Sequence, residues 1–520
     1  MADTPPVPRR ITRGDRRFLE SRGKAEKMRK RPGKAGDVIR RGAGGVGTGN
    51  FRVFQRTFMA PFDTDAAGPS GPGAHHGGAK RLRIAVIGTG ISGLSAAWLL
   101  SSRHDVTVYE KNARLGGHSN TVAAECAEGP VPVDTGFIVY NELNYPNLTA
   151  MFAHLDVETQ ASNMSFAASL ETGGARRFEY SGSGLNGIFA DRLNLVSPRM
   201  WRMIGDIVKL YRAAPDLISM TGLDEKPLGQ FLREQGYSAS LRDDHLLPMC
   251  AAIWSLPVER VEQFPALAFL RFFDNHGLMR LKGRPAWRTV KGGSREYVTK
   301  LAGALEGRIR LGTGVSAVTR DAGGVLVVDD RDGVERYDHV VIGSHSDEAL
   351  AMLTDADGHE RELLGAMPYQ RNVAWLHSDT SFMPDNRRVW SSWNYMGGGA
   401  GTPVCVSYWM NRLQKLPTER QLFVTLNPSH EPAPESVVTR IDYDHPVFDS
   451  GAFAAQRRLW QMQGRRRTWF CGAYFGSGFH EDGLQAGLAV AEELGGVTRP
   501  WRVANPSGRI SLAPVLKEVA

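Results

Sequence analysis

Cysteine is scarce in this chain. Cys126, Cys250, Cys405 and Cys471 are spread across 520 residues, and no two stand at the spacing of a metal knuckle or a redox dithiol. That excludes a disulfide scaffold and predicts a reduced, cytoplasmic protein. Long apolar runs are also lacking. The most apolar stretch, "IAVIGTGISGLSAAWLL" (Ile84–Leu100), carries three glycines and makes a poor membrane span. No apolar signal core follows Met1. The Arg-rich, acid-poor start admits a transit peptide instead, and Met59 opens a more ordinary leader that would serve as the natural start. The histidines are not paired with carboxylates or cysteines at ligand spacing, so no metal is expected.

The charge is unevenly placed. The formal net charge is +8, yet residues 1–80 hold seventeen Lys/Arg against seven Asp/Glu, a balance of +10. The remainder is therefore 8 − 10 = −2, which gives no support to a nucleic-acid groove in the body. Residues 1–80, rich in Arg, Gly and Pro without periodicity, read as a disordered basic arm.

From Arg83 the pattern changes. "RIAVIG" reads as a strand, "ISGLSAAWLLSS" as a helix and "DVTVYE" as a second strand, together a βαβ unit. Residues 150–284 read as mostly helical. Ser197-Pro198 opens a helix, "PRMWRMIGDIVKLYRAAPDLI", with a capping hydroxyl and a first-turn proline. Strand signals return in "IRLGTGVSAVTR", "GVLVVDD", "YDHVVIGS", "VAWLHSD" and "VCVSYWM", and a last helix starts near Gly483.

Gly88, Gly90 and Gly93 form G-x-G-x-x-G between the first strand and the first helix. The first glycine permits the tight turn, the second lets a pyrophosphate approach, and the third lets helix and strand pack. Glu110, ending the second strand, stands where a ribose would be held. Gly42, Gly44 and Gly47 repeat the pattern inside the arm, but no strand precedes them and no helix follows. Arg114 and the pair Gly116-Gly117 extend the unit and suit a second approach to pyrophosphate. The body has no second fingerprint, which argues against a separate NAD(P)H domain. The bland counterparts are a structural βαβ unit and a surface turn with an exposed arginine.

Together with "VKGGSREYV", "GTGVSAV" and "FCGAYFGSGFHEDGLQAGLAVAEEL", these segments resemble the flavin-containing amine oxidase superfamily. More narrowly, "PMCAAIWS", "FFDNHGL", "AWRTVKGGS", "SSWNY", "YWMNRLQ" and "LFVTLNP" resemble FAD-binding proteins associated with cyclopropane-fatty-acid synthases. The resemblance implies an α/β fold: a Rossmann-like FAD-binding domain (residues 82–150, 285–345 and 465–502) interleaved with an α+β substrate domain (151–284 and 346–464), then a tail (503–520). It also implies the grip on FAD. Gly88, Gly90, Ile91, Ser92, Gly93, Glu110, Lys111, Arg114, Gly117 and His118 would hold the ADP half, and Val315 would meet adenine. Gly136 and Phe137 would border the flavin ring, and Gly472, Asp482, Gly483, Leu484 and Gln485 would lie along its ribityl and pyrimidine side.

The departures from amine oxidases are as informative. Members of that superfamily usually place a lysine near flavin N5, yet no lysine occurs between Lys300 and Lys415. His377 and Asp379 occupy the stretch expected to carry it, and Leu484 replaces an aromatic residue beside the ring. His480, Glu481 and His377 are the candidates for proton handling, ahead of Tyr140 and His276; structural hydrogen bonds around a glycine-rich turn are the competing role. The helix after Pro198 interleaves basic residues with Trp201 and aliphatics, so it suits either a lipid surface or an ordinary half-buried position. The expectation is an FAD-dependent oxidoreductase acting on phospholipid acyl chains beside an S-adenosylmethionine-dependent fatty-acyl methyltransferase, at the inner membrane face and without nucleic acid. The alternatives are an oxidase of another apolar or amine substrate, and a non-catalytic flavin-bearing partner of the methyltransferase.

Overall fold

Strands far apart in sequence meet in one parallel sheet. In the computed structural model, which describes residues 80–172, 176–223, 226–254, 258–280, 283–397 and 405–512, its order is Ile309–Leu311, Asp105–Glu110, Arg83–Ile87, His339–Ile342, Thr468–Phe470. Val86 pairs with Val108 on one side and Val341 on the other, and Val341 pairs with Trp469. Ile84, Ala85, Val86, Val340, Val341 and Ile342 are fully buried. Such unbroken apolar strands belong to a sheet covered on both faces. The arm, with its decoy glycines, lies outside the described residues apart from Lys80.

A second, seven-stranded sheet runs Val437–Pro446, Tyr369–His377, Phe423–Leu426, Cys405–Trp409, Trp393–Gly397, Phe166–Leu170, Phe178–Ser181. All its pairs are antiparallel except Trp393–Gly397 with Phe166–Leu170. Residues 150–284 are mostly helical, as expected, but three short strands (Thr159–Ala161, Phe166–Leu170, Phe178–Ser181) precede the long helix. "FAASL" has weak strand propensity of its own and becomes a strand between the nearby Phe178–Ser181 and a partner more than two hundred residues away. The expected single strand "IRLGTGVSAVTR" is also two, broken at Gly312, whose φ of 63° leaves the extended region.

The long helix falls where its capping pattern places it, Pro198–Ile218, with the Ser197 side chain accepting from the Met200 N–H. Met200, Met203, Leu210, Ala214 and Leu217 form its buried stripe. Among the described residues no helix is long and apolar enough to cross a membrane.

The first helix (Ile91–Leu100) and the last (His480–Gly495) pack together through glycines. A Cβ on Gly483 would meet Ile91 Cγ2 at 3.0 Å, one on Gly487 would meet Ser92 O at 2.1 Å, and one on Gly495 would meet Leu100 Cδ2 at 2.6 Å. Contacts that climb both helices in the same order make them parallel, so their N-termini lie at one end. Gly487→Val would drive a side chain into the Ser92 carbonyl. We expect it to lower unfolding free energy by about 3 kcal/mol in chemical denaturation, and an unchanged midpoint would refute this packing.

Candidate functional site

The N-terminus of the first helix is built to stay open. Gly88 has φ 94° and donates its N–H to the Tyr109 carbonyl at 2.8 Å. A Cβ on Gly93 would sit 2.2 Å from Gly88 O, so helix and strand close on each other there. At Gly90 a Cβ would meet nothing within 4 Å, and no side chain caps the helix. Gly117, at φ 55°, presses against this point: its Cβ would lie 3.0 Å from Gly90 Cα. Arg114 donates to the Gly117 carbonyl at 2.7 Å within the second loop, and the Gly116 N–H donates to the Thr89 hydroxyl at 3.2 Å, which ties that loop to the first. Gly343, at the end of the neighbouring strand, packs so closely that a Cβ would meet Gly93 Cα at 2.8 Å. Sequence reasoning missed it, although "VVIGS" ends a strand with a glycine.

Glu110 is buried beside this turn. One carboxylate oxygen accepts from the Thr89 N–H and hydroxyl (3.0 and 2.5 Å), the other from the Asn112 N–H and side-chain amide (2.9 and 2.9 Å). The Gly312 and Thr313 N–H groups donate to the Asn112 and Glu110 carbonyls, which brings the segment leading to Val315 against Glu110. Lys111 pairs with Glu348 at 2.5 Å and so braces a neighbouring helix.

The residues expected near a flavin ring lie around His480. Its imidazole stacks on Phe137 (centroids 3.8 Å apart, planes within 9°), and Nε2 meets the Ser119 and Tyr297 hydroxyls at 2.9 and 2.7 Å. Packing pushes its pKa down to about 3, so the ring is neutral. The Phe137 N–H donates to the His118 carbonyl, and Gly136 is tight against that same oxygen. Asp134 anchors this turn: it accepts from Thr121, from the Ser294 N–H and hydroxyl and from Gln414, and burial pushes its pKa up to about 6. The "VKGGS" block thus serves as a donor set for Asp134.

Two expected catalytic groups are otherwise engaged. Glu481 accepts from the Asn147 N–H and side chain, the Leu148 N–H and Gln485. It caps the helix Pro146–His154, and burial raises its pKa. His377 lies inside the seven-stranded sheet, where it meets Thr425 at 2.7 Å, receives the Asp379 N–H and contacts Phe382 and Phe423. The structure does not bring it to His480. Asp482 accepts from the Ser477 and Phe479 N–H groups, so the last helix begins at His480, earlier than expected. Leu484 is fully buried in the core, and Gln485 spans Glu481 and the Arg509 N–H. Arg509 pairs with Asp482 at 2.6 Å and donates to the Asn144 carbonyl. The expected tail is thus a clasp through Arg509; sequence reading missed it because its partners lie in other segments.

These residues fit a dinucleotide with a ring system. Gly88, Gly90, Gly117, His118, Phe137, Ala473 and His480 remain half-buried although they sit between buried strands and helices. The enclosed His118 Nε2 has no hydrogen-bond partner, and its ring faces Tyr443, His445 and His345. An orphan nitrogen beside an uncapped helix N-terminus suits a polar ligand.

Burial lowers the pKa of His480 and His276 to about 3 and of His245, His377 and His445 to about 4, from an ordinary value of 6.5. The unfolded chain takes up these protons below about pH 6.5 while the native chain does not. Asp134 and Glu481, with raised values, act in the opposite sense but are fewer. Stability is therefore expected to be full above pH 6.5 and to fall steadily as pH drops towards 4. Thermal midpoints across that range test it, and a flat profile would refute it.

The fold recurs in solved structures. Putrescine oxidase bound to putrescine aligns over 80% of this chain and 99% of its own, with TM-score 0.58 and 16% identity. Cyclohexylamine oxidase from Brevibacterium oxydans IH-35A covers 80% of this chain and 100% of its own (TM-score 0.55, 17% identity). The CLA-producing fatty acid isomerase from P. acnes covers 79% and 97% (TM-score 0.55, 16% identity). At such identities the likeness concerns the fold. No curated protein matches in sequence. Residues 91–495 match the family of flavin containing amine oxidoreductases. With its helix N-termini gathered and its cradle open at Gly90, the chain belongs to that family and is an FAD-dependent oxidoreductase.

Proposed function

We propose that the enzyme oxidises an apolar substrate, the acyl chain of a phospholipid, beside an S-adenosylmethionine-dependent fatty-acyl methyltransferase at the inner membrane face. The observation that carries this reading is that the acids near His480 are already matched. Glu481 is satisfied by four donors, and Asp482 by two amides and Arg509. A cationic amine would find no free carboxylate there. Next to them stand the rings of Phe272, His276 and Phe479, with Phe272 stacked on both others at 4.0 and 5.1 Å. Such a wall favours hydrocarbon. The likeness in fold to a fatty acid isomerase supports this reading.

Gly88, Gly90, Gly117 and Arg114 would hold the pyrophosphate region of FAD, with Glu110 at the ribose and Phe137 and the last helix's N-terminus at the ring. Bound FAD supplies a two-electron acceptor. The chain's own part is to exclude water and handle a proton. Neutral His480, fixed by its stack on Phe137, links the Ser119 and Tyr297 hydroxyls, and this set would pass the substrate proton outward. The competing reading, an amine oxidase, is favoured by the likeness to putrescine and cyclohexylamine oxidases.

A Cβ at Gly90 meets nothing within 4 Å, so Gly90→Trp projects its ring into the open cradle. It should yield a folded, colourless protein, and stoichiometric flavin in that variant would overturn the grip described here. Lipid mass spectrometry of a deletion strain should show loss of one oxidised or methylated acyl species, restored by the wild type and not by Gly90→Trp. Unchanged lipids together with hydrogen peroxide release on amines would sink the acyl-chain proposal. Tyr297→Phe should lower kcat by about a hundredfold with flavin content retained.

A further inference from the structure

Half of the exposed large hydrophobic side chains among the described residues fall between Leu185 and Trp201: Leu185, Leu193, Leu195, Val196 and Trp201. Val196 is 77% exposed and Trp201 52%. The segment is ordered by its own contacts. Asp191 caps the short turn Arg192–Val196, the Trp201 Nε1–H donates to the Leu195 carbonyl at 2.8 Å, and its ring meets Phe189 at 5.4 Å. Trp201 is then held outward. On a helix of about 100° per residue it stands opposite the buried stripe of Met203, Leu210, Ala214 and Leu217. Its contacts tie it to the preceding segment through Phe189 and Leu195 and leave half of its surface exposed.

The charges beside it are basic and uncommitted. Arg212 shares the outer face with Trp201, and Arg202 flanks it. Among the described residues neither forms an ion pair or hydrogen bond, whereas Arg199 is spent on buried Asp244 and Lys209 on the Gln235 carbonyl. Asp191 is occupied by Arg176 and Asp206 by the Ser238 N–H, while Asp216 remains further along the helix. We propose that residues 185–212 dock on an anionic phospholipid surface. Leu193, Leu195 and Val196 would enter the acyl boundary, Trp201 would sit at headgroup level, and Arg202 and Arg212 would meet lipid phosphates. Aliphatic side chains rimmed by an amphipathic ring and unpaired arginines complement a soft apolar layer topped with anions. This surface is argued from exposure and charge, so it stands whether or not acyl chains are the substrate.

The test is sedimentation of the full-length, flavin-loaded protein with vesicles of phosphatidylcholine alone or mixed with phosphatidylglycerol. The wild type should bind the anionic vesicles, and salt should weaken binding. Leu193→Ser/Leu195→Ser/Val196→Ser and, separately, Arg202→Glu/Arg212→Glu should each lose about tenfold in affinity with flavin content and melting temperature unchanged. Wild-type binding in both variants would place the lipid contact elsewhere, the basic arm included, and overturn the proposal. So would a wild-type dimer that the triple variant dissociates, since a second copy would then cover the surface. Vesicle binding is read without any turnover, which separates this outcome from failure of the acyl-chain reading.

Discussion

Two helices from opposite ends of the described chain run parallel in glycine contact, and much of the site follows from that. Parallel helices place two partial positive charges side by side at their N-termini, an arrangement that is unfavourable unless negative charge is supplied. The last helix carries its own, with Glu481 and Asp482 in its first turn. The first helix has no acid in its first turn and no side-chain cap. The compensation it lacks is the charge a pyrophosphate would bring, and the open approach at Gly90 is where such a group would arrive.

The same constraint explains why the acidic residues of "FHEDG" are structural. Glu481 reaches the helix Pro146–His154, and Asp482 holds the preceding turn and Arg509. Each acid thus ties another segment to the start of the last helix. His480, between Phe137 and Tyr297, is left as the polar group that faces the half-buried trough. Its neutrality follows from packing, and its orientation from the aromatic stack. A site organised this way holds few free charges, in keeping with a substrate that brings none.

Local patterns made a good part of this legible. The fingerprint glycines, Glu110 and the Ser197-Pro198 helix start depend on turns, caps and periodicities spanning a few residues, and they fall where the sequence places them. Segments whose conformation depends on distant partners did not read correctly. "FAASL" is a strand between Phe178–Ser181 and the distant Trp393–Gly397, and Arg509 finds its role against Asp482 and Asn144. The family resemblance brought residues 472–485 into the site before any contact was known, but not what each side chain does there.

By itself the sequence determined a βαβ unit with a phosphate-ready turn, a glycine-lined last helix and the absence of any lysine between Lys300 and Lys415, because backbone freedom and residue identity are properties of position. Only the tertiary structure decided which polar groups are free. Whether Glu481, Lys111 or His377 can meet a ligand depends on hydrogen-bond and ion-pair partners contributed by Asn147, Glu348 and Thr425, each remote in sequence. Hydrogen-bond capacity is finite and is consumed by whatever folds alongside, so chemical availability is a property of the packed molecule.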